Sequence, residues 1–109
     1  MVYSEDLATR VRALFADDPG VSERKMFGGL CLMVNGNMAL GVMEKDLMVR
    51  VGPDAYEDAL AQPHCRKMDF TGRPMKGMVF VDLEAVESEE DLAAWAARGA
   101  EFAGSLKPK

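Results

Sequence analysis

The sequence predicts an α+β fold in two layers, with helices packed largely on one side of an antiparallel sheet. Three observations carry that prediction: a helical apolar period at each end of the chain, Asn35-Gly36 between two apolar runs, and a second pair of runs after Pro63 joined by Thr71-Gly72-Arg73-Pro74. The implied order is helix, three strands, helix, two strands, helix.

Each element has a local cause. Ser4 is placed to cap the first helix, and Glu5 and Asp6 complement the positive end of its dipole. Leu7, Val11, Leu14 and Phe15 then recur at helical spacing until Asp17-Asp18-Pro19-Gly20. Residues 21–27 lead to Gly28-Gly29, after which the runs 30–34, 37–43 and 47–51 form an antiparallel meander. Asn35-Gly36 suits its first turn because both turn residues must reach positive φ. Gly52-Pro53 interrupts the sheet, and Asp54 with Glu57 reads as a capping-box variant that opens a short helix ending before Pro63. The runs 66–70 and 75–81 make the second hairpin. Ser88 with Asp91 caps the last helix, where Leu92, Trp95, Phe102 and Leu106 approximate one stripe and Ala96, Gly99 and Ala103 are small contacts. Residues 1–106 form one domain on this reading, and 107–109 are a frayed tail.

Composition narrows the class. A chain of 109 residues supports one ordinary core, and 49% hydrophobic with 28% charged residues excludes a disordered or polyionic polymer. The net charge of −5 argues against a globally basic nucleic-acid binder. Yet residues 64–77 hold Arg66, Lys67, Arg73 and Lys76 against Asp69 alone, a +3 segment in an acidic molecule. No apolar run is long enough to cross a membrane, and the N-terminus turns acidic where a signal peptide would be basic, so a cytoplasmic location without membrane contact is expected. In that reducing compartment Cys31 and Cys65 are expected to stay thiols, and with His64 the sole histidine neither a metal site nor a cofactor is expected.

Strand register places the nine methionines. Pairing Val34 with Asn37 sets Met33 opposite Met38 and Cys31 opposite Leu40 on one side of the sheet. Pairing Met43 with Leu47 continues that side through Val42, Met48 and Arg50. Leu30, Leu32, Val34, Ala39, Gly41, Val49 and Val51 fall on the other. One face is therefore aliphatic, as a helix-packing face should be, and the opposite face is rich in methionine, which suits either a second layer of core or an adaptable contact surface.

The segments Arg24-Lys25-Met26-Phe27-Gly28-Gly29, Asn35-Gly36-Asn37-Met38, Leu47-Met48-Val49-Arg50-Val51 and Met68-Asp69-Phe70-Thr71-Gly72-Arg73-Pro74-Met75-Lys76-Gly77 resemble the N-terminal domain of the TfoX/Sxy family, in a stand-alone, single-domain form. The resemblance covers nearly the whole chain. It implies a fold similar to type III secretion chaperones and YjbR-like proteins, in the element order read above. Better-known members follow this domain with a helical one and promote expression of natural-competence genes. The resemblance brings no catalytic residue set.

Three groups of residues are candidates for function. Arg24 and Lys25 precede Gly28-Gly29, whose bare amides would make a small anion nest or, alternatively, a tight bend between strands. Arg66, Lys67, Arg73 and Lys76 would contact phosphate or an acidic partner, or else guard a solvated edge; pairing Phe70 with Met75 sets Asp69 across from Lys76. Met33, Met38 and Met48 with Arg50 form the candidate interaction face. His64-Cys65 is not a catalytic pair, because neighbours on an extended chain point to opposite faces. The expectation is a non-enzymatic cytoplasmic interaction or regulatory domain acting through an unidentified protein partner, as a monomer or homodimer. The alternative is a nucleic-acid-associated regulatory factor using the basic residues.

Overall fold

A computed structural model describes residues 3–26, 28–67 and 77–108. Helix α1 (Glu5–Leu14) is followed by strands β1 (Val21–Met26), β2 (Gly29–Val34), β3 (Asn37–Val42) and β4 (Asp46–Arg50), helix α2 (Tyr56–Leu60), strands β5 (Cys65–Lys67) and β6 (Met78–Asp82), a short 3-10 helix (Leu83–Val86) and helix α3 (Glu89–Ser105). The strands make one antiparallel sheet in the order β1-β2-β3-β4-β6-β5. The two-layer α+β prediction holds, with one strand more than expected in the first group. That strand is β1, whose residues 22–25 are all exposed. Ser-Glu-Arg-Lys offers no apolar alternation to read, because an edge strand can be held by its backbone ladder alone, here from Val21↔Val34 to Met26↔Gly29.

Local signals are obeyed where local chemistry decides. Ser4 Oγ accepts from the Leu7 amide at 3.2 Å, and Ser88 Oγ accepts from the Asp91 amide at 3.0 Å. Asn35 and Gly36 take φ of 52° and 85°, as their hairpin turn requires. The capping box expected at Asp54 does not form: α2 starts at Tyr56 after Ala55, with no side-chain cap. Residues 53–55 are spent in a turn, following Gly52, which takes φ of 89° and whose lack of a Cβ leaves room for the Phe102 ring against its backbone.

The three α-helices each bury apolar residues against the same face of the sheet, while Leu14 of α1 stays exposed. Leu7 and Val11 of α1, Tyr56 and Ala59 of α2, and Leu92, Trp95 and Ala96 of α3 share one core with Leu32, Leu40, Leu47, Val49 and Val79. At the far end of α3, Asn37 Nδ2 donates to the Lys107 carbonyl at 3.0 Å, which ties residue 107 to β3.

The β2–β3 register begins as expected, Val34↔Asn37 and Met33↔Met38, and then slips to Leu32↔Leu40, Cys31↔Gly41 and Leu30↔Val42. Ala39 is the extra residue of the resulting bulge. The next pair follows as Gly41↔Met48 and Val42↔Leu47, not Met43 with Leu47. This corrects three placements: Leu40 and Val42 belong to the helix-side core, and Gly41 lies between Cys31 and Met48 on the opposite face. The bulge sits directly under α3, since a Cβ added at Gly99 would collide with the Ala39 carbonyl. In the second hairpin Arg66 pairs with Phe80 and Lys67 with Val79, one residue off the register that Phe70–Met75 would set. Strand β6 is aligned by its ladder with β4, from Asp46↔Asp82 to Arg50↔Met78. The Phe70–Met75 pair, the turn at 71–74, and Asp69 opposite Lys76 lie outside the described residues.

Candidate functional site

The face turned away from the helices carries a row of direct cross-strand neighbours: Arg24, Cys31, Gly41, Met48, Phe80 and Arg66, one from each strand in turn. Beside it Met33 faces Met38 and Arg50 faces Met78. The buried residues Cys31, Met33, Met48 and Met78, with Met38, Met43 and Phe80 partly buried around them, form a cluster separate from the helix-side core. A Cβ placed on Gly41 would lie 2.7 Å from Met48 Cε and 3.3 Å from Cys31 Sγ, so those two side chains close over the bare glycine. Burial pushes the Cys31 thiol up to about 11.

The four candidate interaction residues thus meet unequally. Met33 and Met48 are interior, at 8% and 0% exposure, while Met38 and Arg50 are half-buried. Arg50 Nη1 donates to the Met38 carbonyl at 3.4 Å, and its guanidinium lies 5.3 Å from the centre of the Phe102 ring. Sequence reasoning missed that Met78, Met43 and Phe80 join the same cluster. The Met78/Phe80 alternation is visible in the chain, but only the long-range β4–β6 ladder brings it alongside Met48.

The described candidate cations, Arg24, Lys25, Arg66 and Lys67, do not form one patch. Arg24 and Lys25 are exposed on β1 and Arg66 and Lys67 on β5, the two opposite edges of the sheet. Arg66 is committed: Nη2 lies 2.7 Å from both Asp46 Oδ2 and Asp82 Oδ1, Nε donates to Asp82 Oδ1 at 2.9 Å, and the guanidinium covers the Phe80 ring at 5.5 Å. Those hydrogen bonds to Asp46 and Asp82 raise its pKa further. They also offset two like charges directly opposed across β4 and β6. Arg73 and Lys76 lie outside the described residues. Gly28 takes φ of 74° in the β1–β2 connection, and Gly29 lies so close to the Val42 carbonyl and Met43 sulfur that a Cβ would clash with both. The hairpin therefore uses both glycines.

His64 is the one described residue other than Asn35 and the glycines with positive φ, at 63°, and its Nδ1 is 3.9 Å from Glu84 Oε2. It lines an open cleft of about 300 Å³ with Pro63, Glu84, Asp91 and Trp95. Cys65 packs instead against the helix-side core, where burial raises its pKa. No disulfide joins the two cysteines. Among the described residues no group of three or more His, Cys, Asp or Glu could hold a metal ion, and no helix is long and apolar enough to cross a membrane.

Comparison with curated proteins returns no match. The family model described as the TfoX N-terminal domain matches residues 13–103, which take in the whole sheet, α2 and most of α3. The sulfur-lined face and the helix-packed face therefore both fall within the matched region, and the chain belongs to the TfoX N-terminal domain family.

Proposed function

We propose that this domain acts by protein contact, as a non-catalytic regulatory module of the cytoplasm, and that the contact surface is the margin of the sulfur-lined face. The observation that carries this reading is the asymmetry of the sheet. Three helices bury apolar residues on one face, while the other ends in half-buried Met38, Met43 and Phe80 with exposed Arg24 on the neighbouring edge. Methionine conforms to irregular apolar shapes, and a cation at the margin favours carboxylates. The occupant that fits is an apolar protein segment flanked by acidic residues. The nucleic-acid reading has less support, because phosphate affinity grows with the number of cations acting together, and the described ones stand on two edges with Arg66 already neutralised.

Affinity capture from the native cell with the wild-type domain, Met38→Leu and the double variant Met38→Glu/Arg24→Glu tests the proposal. Specific partners kept by the first two and lost by the third sustain it. Their retention by a folded double variant overturns it. Binding of DNA or RNA at ~50 mM salt, lost as salt is raised, would instead support the alternative.

A further inference from the structure

We infer that Arg50 is the receptor for a carboxylate group, taken into a notch of about 80 Å³ that its side chain lines with Gly52, Pro53, Gly77, Met78 and Phe102. The described half-buried arginines differ in what they touch. Arg10 donates to Glu89 and to the Val86 and Glu87 carbonyls, and Arg98 pairs with Asp58 at 3.5 Å. Arg50 is half-buried too, yet among the described residues it has no carboxylate partner. Its hydrogen bond to the Met38 carbonyl, at 3.4 Å, is longer than the usual range of about 2.7–3.2 Å. A guanidinium that has given up part of its hydration without gaining a counter-ion leaves its donors to an anion from outside.

Backbone shapes the notch around that cation. The Gly77 carbonyl accepts from the Val51 and Gly52 amides at 2.8 and 3.1 Å, and a Cβ on Gly77, which takes φ of 96°, would come within 3.1 Å of the Gly52 carbonyl carbon. A Cβ on Gly52 would overlap the Phe102 ring, so the bare backbone lets the ring stand beside the notch. The Arg50 guanidinium lies over that ring, 5.3 Å from its centre. An aromatic ring against the face of a guanidinium leaves the in-plane N–H fork free, and that fork matches the two oxygens of a carboxylate. Charge favours a carboxylate over phosphate. The notch offers a single cation, Arg98 in the next cleft along Phe102 is held by Asp58, and the chain carries −5 overall. Pro53, Met78 and Phe102 supply apolar walls that suit a small alkyl group behind the carboxylate. The inference does not rest on the protein-contact proposal, whose surface is the margin at Met38, Met43 and Phe80.

An NMR titration of the full chain with propionate, replacing chloride at a constant ionic strength of about 0.15 M, provides the test. The expected result is a saturable shift of the Arg50 Nε–H and Phe102 ring resonances, with inorganic phosphate bound more weakly than propionate. Arg50→Lys keeps the charge and removes the fork, and should weaken binding about tenfold. Arg50→Gln should abolish it. A blocked peptide with one aspartate, titrated alongside, separates the two sources of the group: tighter binding of the peptide assigns a protein side chain, and tighter binding of propionate assigns a free organic acid. Shifts that grow without saturating overturn the inference, as does phosphate binding as tightly as propionate, or Arg50→Lys binding as tightly as wild type. Should Arg50→Gln fail to fold, the wild-type titration and Arg50→Lys decide the matter.

Discussion

On the helix side of the sheet Leu32, Leu40, Leu47 and Val49 are buried beneath three helices, and α3 comes near enough at Gly99 for backbone to meet backbone. On the other side Cys31, Met33, Met48 and Met78 pack with one another and with half-buried Met38, Met43 and Phe80, and the ends of Cys31 and Met48 meet over Gly41. Leucine and valine hold few rotamers and transmit shape, whereas methionine rearranges to suit its neighbours. The helix side should therefore be intolerant of change and the sulfur side forgiving. The largest test is truncation against replacement. Leu32→Ala should cost ~2–5 kcal/mol, and Met48→Leu under ~1.5 kcal/mol, read from urea unfolding midpoints at constant m. Equal losses would erase the distinction.

The same change made at a glycine on each face sharpens the comparison. A Cβ at Gly99 meets the Ala39 carbonyl, which cannot move without shifting α3 from the sheet, so Gly99→Ala should cost ~1–3 kcal/mol despite the better helix propensity of alanine. A Cβ at Gly41 meets the mobile end of Met48 at 2.7 Å, so Gly41→Ala should cost under ~1 kcal/mol. Thermal unfolding of the two variants side by side decides it.

That contact also explains what the sequence could and could not say. The two serine caps, the Asn35-Gly36 turn and the two-layer class depend on neighbours within a few residues and are legible. The bulge at Ala39 lies against a helix sixty residues further on and leaves no mark on the apolar pattern, so alternation alone puts Leu40, Gly41 and Val42 on the wrong faces. Strand β1 escapes notice because its residues 22–25 are all exposed and show no apolar alternation. The site was half legible for the same reason. Alternation unites Met33, Met38 and Met48, but Met78 joins them through a ladder between strands that are not consecutive.

The two thiols compare the faces chemically. With its pKa at about 11, Cys31 is roughly one part in a thousand thiolate at pH 8, and it is fully buried; Cys65 is half-buried at the opposite face. Iodoacetamide at pH 8 should modify Cys65 first, and urea should abolish the preference. A thiol whose folded pKa lies above its ordinary 9.0 holds its proton better folded than unfolded. Stability should consequently fall as pH rises from 9.0 toward about 11 and level off beyond. Cys31→Ala should flatten that alkaline limb.

The smallest effects come from the arginines that tie each face at its margin. On the helix side Arg12 Nε and Nη2 donate to the two carboxylate oxygens of Glu23 at 2.8 and 3.0 Å, holding β1 to α1. The Arg12 hydrogen bonds depress the Glu23 pKa, so this contribution is present above the ordinary glutamate range and lost as pH falls through the lowered folded value. Glu23→Gln should flatten that acid limb, and 1 M salt should mask the change, because the pair is exposed. On the sulfur side Arg66→Ala does more than remove a bond, since it leaves Asp46 facing Asp82 across the ladder. Its cost should reach about 1 kcal/mol at low salt. Adding Asp82→Asn should recover part of that loss, a coupling that a double-mutant cycle measures directly. If Arg66→Ala and Arg12→Ala respond alike to salt and Asp82→Asn rescues nothing, Arg66 is an ordinary surface pair, and its carboxylates are then open to other partners on that face.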